Sequence, residues 1–133
     1  MYVIVCQLDS KEKLTSFQDL YSYNIEQSMG HKNANVLTVF MDTQGMTLQE
    51  AANHLGKVFG MLMQEHLTNR SMVRSFGPQT DRQVETYLRD LSDWVVGNLE
   101  WSFASQRYFG TESDKIRKGA PVQIMTKGVW DEN

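Results

Sequence analysis

The chain reads as an all-α protein of three long helices and one short one. Only two prolines, Pro78 and Pro121, interrupt its 133 residues, so long stretches contain no breaker. Those stretches are rich in Leu, Met, Gln and Glu, residues that lose little on entering a helix. Their apolar positions recur at three and four rather than at two. The one segment with strand-like content, Val36-Leu-Thr-Val-Phe-Met41, is a lone candidate. A single strand has nothing to pair with, so this segment is expected to be a short buried helix.

The first long helix is expected over about residues 10–29. Ser10 caps it, and Leu14, Phe17, Tyr21 and Ile25 form its apolar stripe. Gly30 stops it, and the polar run from His31 to Ala34 is a loop. Thr47 and Glu50 form a capping box for the next helix. That helix carries Leu48, Ala51, Ala52, Leu55, Val58, Phe59, Leu62, Met63 and His66 and runs to about Arg70. Ser75-Phe-Gly-Pro-Gln79 is a break, after which Thr80 or Asp81 caps a third long helix. Val84, Tyr87, Leu88, Leu91, Trp94, Val95 and Leu99 mark it, and it reaches about Gln106.

Beyond Gly110 the apolar period disappears, so residues 111–133 are expected to be a loose tail with Val122-Gln-Ile-Met125 as an anchor. Residues 1–9 are left unassigned, and residues 10–110 form the helical domain. Trp94 and Trp101 fall on different sides of the third helix, and Met61 and Met63 lie beside the main stripe of the second. Apolar groups on several faces belong to helices inside a larger bundle, so the chain is expected to be part of one.

Composition excludes several functions. A net charge of −3 with a pI near 5.5 leaves no basic excess for counterion release from nucleic acid. The lone Cys6 rules out an intrachain disulfide and a multi-cysteine zinc site, and fits a reducing cytoplasm. No stretch has the length of a membrane span, and the apolar start is too short for a signal sequence. A cytoplasmic protein without membrane or nucleic-acid partners is the expectation.

Two clusters carry chemistry. Gln18, Ser22 and Glu26 recur at intervals of four, which stacks three oxygen-bearing side chains on one helix face. Such a stripe suits Mg²⁺, which keeps several waters and shares its shell with substrate phosphates. The plain alternative is a solvated helix face, Asp19 included. From spacing alone the solvated face is the better reading; Ser22 speaks for a use, because serine is a poor helix-interior residue. Arg107 and Tyr108 offer a guanidinium and a phenol fit for phosphate, against a helix-terminal arginine and a packing tyrosine.

Other residues have bland readings. His54 and His66, about 18 Å apart at helical rise, lack ligand spacing. Asp90 and Asp93 read as a solvated face, the methionines as core filler, and Gly56 with Gly60 as a site of close helix packing.

The segment Asp19-Leu-Tyr-Ser-Tyr-Asn-Ile-Glu26 resembles the downstream metal-binding motif of class I terpene synthases, Asn-Asp-x-x-Ser-x-x-x-Glu. Trp101-Ser-Phe-Ala-Ser-Gln-Arg-Tyr-Phe109 resembles the Arg-Tyr signature near the C-terminus of mushroom-type sesquiterpene synthases. Glu26 and Arg107 lie 81 positions apart, similar to the family's interval, and the likeness covers about residues 12–110. The resemblance implies the C-terminal helices of an isoprenoid-synthase bundle. It also implies that Ser22 and Glu26 bind one Mg²⁺ and that Arg107 and Tyr108 hydrogen-bond the diphosphate of farnesyl diphosphate. Gln18 stands where the family has Asn. Its extra methylene moves the amide oxygen by about 1.5 Å, against Mg²⁺ distances of about 2.0–2.1 Å. No aspartate-rich motif of the family's kind is found in these residues.

Two functions from different classes follow. One is a magnesium-dependent sesquiterpene cyclase, of which this chain is a portion inactive by itself. The other is a non-catalytic helical module that binds Mg²⁺–diphosphate weakly or pairs with another helical chain.

Overall fold

A computed structural model describes residues 18–31 and 35–126. It is helical throughout, and no strand occurs among the described residues. The expected Ser10 cap, Leu14, Phe17 and the unassigned residues 1–9 lie outside them. Helix α1 covers residues 18–28, α2 Val36–Gln44, α3 Leu48–Ser71, α4 Pro78–Ala104 and α5 Ser113–Arg117, with a 3₁₀ turn at Gly110–Glu112.

Local chemistry sets most boundaries. Gly30, at a φ of 82°, ends α1: its N–H donates to Gln27 O, and that of His31 donates to Glu26 O. This pair of bonds satisfies carbonyls the helix leaves open. Val36–Gln44 is a helix, as its isolation predicts, capped by Asn35 and closed by left-handed Gly45. The Thr47–Glu50 capping box forms in both directions. The start of α4 departs from expectation. Pro78 is its first residue, where a missing N–H costs nothing, and Gly77 precedes it at a φ of 99°. Asp81 sits in the first turn and accepts from Ser75 Oγ at 2.6 Å and Phe76 N–H at 2.7 Å. Those bonds hold its carboxyl below the usual range.

Helices α3 and α4 form an antiparallel hairpin. Arg70 pairs with Glu85 and His66 meets Ser92 at 3.4 Å, so the contacts run in opposite senses along the two helices. Leu88 and Leu91 pack with Val73 and Val84 near the bend. At the far end of α3, Ala51 and Leu55 join Leu37 in a second core that takes in Leu20 and Tyr23 of α1. At about 1.5 Å per residue, α3 runs out roughly 36 Å and α4 returns about as far. The end of α4 thereby comes back to α1.

Past α4 the chain is more regular than its sequence pattern implies. Arg117 of α5 makes a two-pronged ion pair with Glu100 and lies over the Phe103 ring at 5.7 Å. Ser113 Oγ donates to Phe103 O. The expected anchor is present and its partner is α1. Asn24 Nδ2 donates to Gln123 O at 2.9 Å, and Asn24 Oδ1 accepts from Met125 N–H at 2.8 Å. Gln27 Nε2 adds a bond to Met125 O at 2.8 Å.

A Cβ added to Gly56 or Gly60 meets nothing within 4 Å, so these glycines make no close helix contact here. Met29, Met61 and Met72 are exposed rather than core filler. Trp94, Val96 and Leu67 are likewise about half exposed, as expected of helices drawn from a larger bundle.

Asp19 does not lie on the solvated face that the plain alternative gives it. It is half-buried, and its Oδ2 accepts from Val36 N–H at 2.8 Å. Burial raises its pKa, the Val36 bond opposes this, and the nearby Glu26 carboxylate raises it further.

Two outcomes follow. Leu37, 1% exposed, should cost about 2–5 kcal/mol when changed to Ala, whereas Met61→Ala should cost almost nothing in denaturant unfolding. Because the folded Asp19 pKa is raised, the folded state holds its proton longer, and stability falls as pH rises from the unfolded value through the folded one. Asp19→Asn, which retains an acceptor for Val36, should therefore be more stable than wild type at pH 7. The gain should shrink as pH falls through the raised folded value and be lost by about pH 4, measured by urea melts across that range.

Candidate functional site

The oxygen stripe of α1 emerges from helical phase. At about 100° per residue, Gln18, Ser22 and Glu26 drift across one face. Tyr21 lies on one flank of that face, and Asp19 and Tyr23 on the other. Leu20 and Tyr23 turn toward the α2–α3 core, while Asn24 and Gln27 hold the C-terminal segment. The stripe is what remains after packing has claimed the other faces.

Gln18 is exposed. Ser22 is buried, and its Oγ has no hydrogen-bond partner among the described residues. A buried hydroxyl without a partner is uncommon and costs free energy, so this atom calls for a ligand or a use. Glu26 is half-buried, and its Oε2 accepts from Asn35 Nδ2 at 3.0 Å. Asn35 is fully buried. It also donates to Asp19 O at 2.7 Å, and its Oδ1 accepts from Leu37 N–H at 3.0 Å as the cap of α2.

The second motif arrives on the other flank. Helix α4 ends at Ala104, two residues before the expected limit, because Gln106 takes a left-handed φ of 56°. Arg107 thus lies outside the helix and does not serve its dipole. It is exposed, with its guanidinium 5.7 Å from the Tyr108 ring. Tyr108 is buried, its ring 6.2 Å from Trp101 and 6.3 Å from Tyr21. Tyr21 also meets Phe103 edge-on at 5.4 Å and Phe109 at 5.6 Å. Burial pushes the Tyr21 phenol up to about 12, so it stays neutral at physiological pH. The residue beside Ser22 is therefore embedded in the aromatic cluster that carries Tyr108.

These donors fit a magnesium ion. Among the described residues no group of three or more His, Cys, Asp or Glu is placed to hold a metal. The stripe instead offers one carboxylate, one orphaned hydroxyl and one carboxamide, an all-oxygen set of low charge. Mg²⁺ commonly takes one or two carboxylates and completes its shell with water and substrate phosphate. An apolar pocket of about 360 Å³ lies beside Leu20, Tyr23, Phe103, Phe109 and Val122, and none of the five candidate residues lines it.

Sequence reasoning missed Asn35 and undervalued Asp19. The Asn35 signal was present: an Asn directly before Val36-Leu37 is a helix cap, which fixes its backbone and buries its side chain. Its reach back to Glu26 depends on the tight turn at Gly30, which spacing alone does not reveal.

Known proteins resemble the chain in sequence. Residues 13–65 match the family described as terpene synthase family 2, C-terminal metal binding. The chain is 35% identical over 117 residues to α-muurolene synthase of Coprinopsis cinerea, covering 88% of this chain and 27% of that protein. It is 37% identical over 124 residues to sesquiterpene synthase 3 of Postia placenta, covering 92% and 34%. Sesquiterpene synthase Agr3 of Cyclocybe aegerita is 35% identical over 116 residues, covering 87% and 32%. The chain thus spans about a third of the length of these relatives. No described helix is long and apolar enough to cross a membrane. The family match and this shared sequence make the chain a member of the terpene synthase family, with residues 13–65 matching its C-terminal metal-binding region.

Proposed function

We propose that the chain supplies the metal and diphosphate grip of a sesquiterpene cyclase, a magnesium-dependent enzyme that ionises and cyclises farnesyl diphosphate. The observation that carries this reading is the meeting of the two motifs: Tyr21, next to Ser22, lies 6.3 Å from Tyr108 between ring centres. In this reading Ser22 and Glu26, with Gln18, hold one Mg²⁺. Arg107 turns its planar fork of donors to the diphosphate, and the Tyr108 phenol adds a hydrogen bond. A bound Mg²⁺ supplies Lewis-acid neutralisation of the departing diphosphate. The rings of Tyr21, Trp101, Phe103 and Phe109 give the neighbourhood an apolar, aromatic border suited to a developing cation. The names of the relatives support a sesquiterpene product, and the lone Cys6 supports a cytoplasmic setting.

The exposure of Trp94, Val96, Met61 and Leu67 favours a second reading, in which the helices pair with another helical chain and catalyse nothing. Both readings agree that these 133 residues, without an aspartate-rich motif, turn over no substrate alone. Incubation with farnesyl diphosphate and Mg²⁺ should yield no hydrocarbon by gas chromatography, and terpene formation would refute that.

Binding separates the grip from a module that only pairs with another chain. Calorimetric titration with Mg²⁺ and inorganic diphosphate should show binding that Glu26→Gln weakens at least tenfold, since a charged ligand becomes neutral. Arg107→Lys should weaken diphosphate binding by about 1.5–3 kcal/mol, because a point charge replaces a fork. Wild-type affinity in either variant removes that residue from the grip.

A further inference from the structure

We infer that Asn35 is a positioning residue for the Glu26 carboxylate, holding it ready for a metal ion through a bond that also begins α2. The inference rests on reading Glu26 as a metal ligand and goes beyond it, because Asn35 is not itself among the candidate donors.

Three bonds engage both amide hydrogens and the oxygen of the Asn35 side chain. One amide hydrogen goes to Asp19 O at 2.7 Å, and Nδ2 also reaches Glu26 Oε2 at 3.0 Å. The amide oxygen accepts from Leu37 N–H at 3.0 Å. Two acceptors on one end and a backbone donor on the other leave the amide a single sensible orientation. The residue is 0% exposed, so water does not compete for these bonds. Asp19 O and Glu26 Oε2 stand seven residues apart on α1, bracketing Ser22. The amide thus fixes the carboxylate relative to the very turns that carry the orphaned hydroxyl.

Glu26 takes no other hydrogen bond among the described residues, so Oε1 stays available while Oε2 is held. Groups that orient a metal-binding carboxylate in this way are worth about 10–100-fold in metal affinity. An alternative in which Asn35 merely caps a helix predicts loss of stability alone. The two roles sit on different atoms, the cap on Oδ1 and the positioning on Nδ2, so substitution can separate them. Asn35→Ser retains a capping oxygen and removes the amide donor; serine and asparagine cap about equally well.

The test is titration of the 133-residue chain with Mn²⁺ in the presence of inorganic diphosphate, following free Mn²⁺ by electron paramagnetic resonance, beside metal-free thermal melts. Wild type should bind, and Glu26→Gln should lose binding. Asn35→Ser should bind about 10–100-fold more weakly while still melting cooperatively without metal, at a midpoint lowered by the lost bond to Asp19 O. If Asn35→Ser unfolds, Asn35→Thr, a cap with a branched side chain, takes its place. Wild-type Mn²⁺ affinity in the Asn35 variant, with binding lost in Glu26→Gln, overturns the positioning role and leaves the ligand reading standing. Wild-type affinity in Glu26→Gln, or no binding by the wild-type chain, overturns the ligand reading and this inference with it.

Discussion

The contact on which the rest of the molecule depends is the burial of Tyr21 among Phe103, Tyr108 and Phe109. Two long helices leave α1 and return to it, and each is held along its length by few interactions. The Leu88–Leu91 core near the bend and the Leu37 core at the base lie at opposite ends of α3. Among the described residues, the aromatic cluster ties the tip of α4 directly to α1. Edge-on ring pairs of this kind add about 0.5–1.5 kcal/mol each beyond the area they bury. They also carry directional preference, which a patch of leucines lacks, and so fix how the Arg107–Phe109 turn faces the helix.

Polar side chains complete the frame where apolar packing is thin. The two ends of the Asn24 amide bind an N–H and a C=O of the C-terminal segment, much as a neighbouring strand would. Asp19 receives the first amide of α2, and Asn35 ties α2 back to α1. Both faces beside the oxygen stripe are thereby occupied, one by rings and one by amides. Ser22 Oγ in the stripe has no partner among the described residues, a cost tolerated where a ligand can relieve it.

Much of this was legible in the residues. Capping rules located the start of α3 at Thr47, because Thr and Glu three apart act through local bonds that need no tertiary partner. The argument that a lone strand cannot persist turned Val36–Met41 into a helix, in line with α2. The proline at 78 misled, since a breaker inside a helix is a favourable first residue at its start. The tail misled for another reason: α5 is held by Arg117–Glu100 and by the ring of Phe103, contacts that no periodicity encodes. The five candidate residues came from spacing and family likeness. Asn35 did not, because its link to Glu26 spans a reversal of the chain.

Arg107, Tyr108 and Phe109 lie between two left-handed residues, Gln106 at 56° and Gly110 at 54°, and the Gly110 N–H closes the loop on Gln106 O at 2.9 Å. Gly adopts this geometry freely, but Gln does so at a cost of about 1 kcal/mol. The bracket is therefore stiff in its main chain, and its two aromatic members are immobilised by their neighbours. The exposed guanidinium is the exception. It can swing through its rotamers to follow an anion while the platform beneath it stays still, much like a crane arm on a fixed mast.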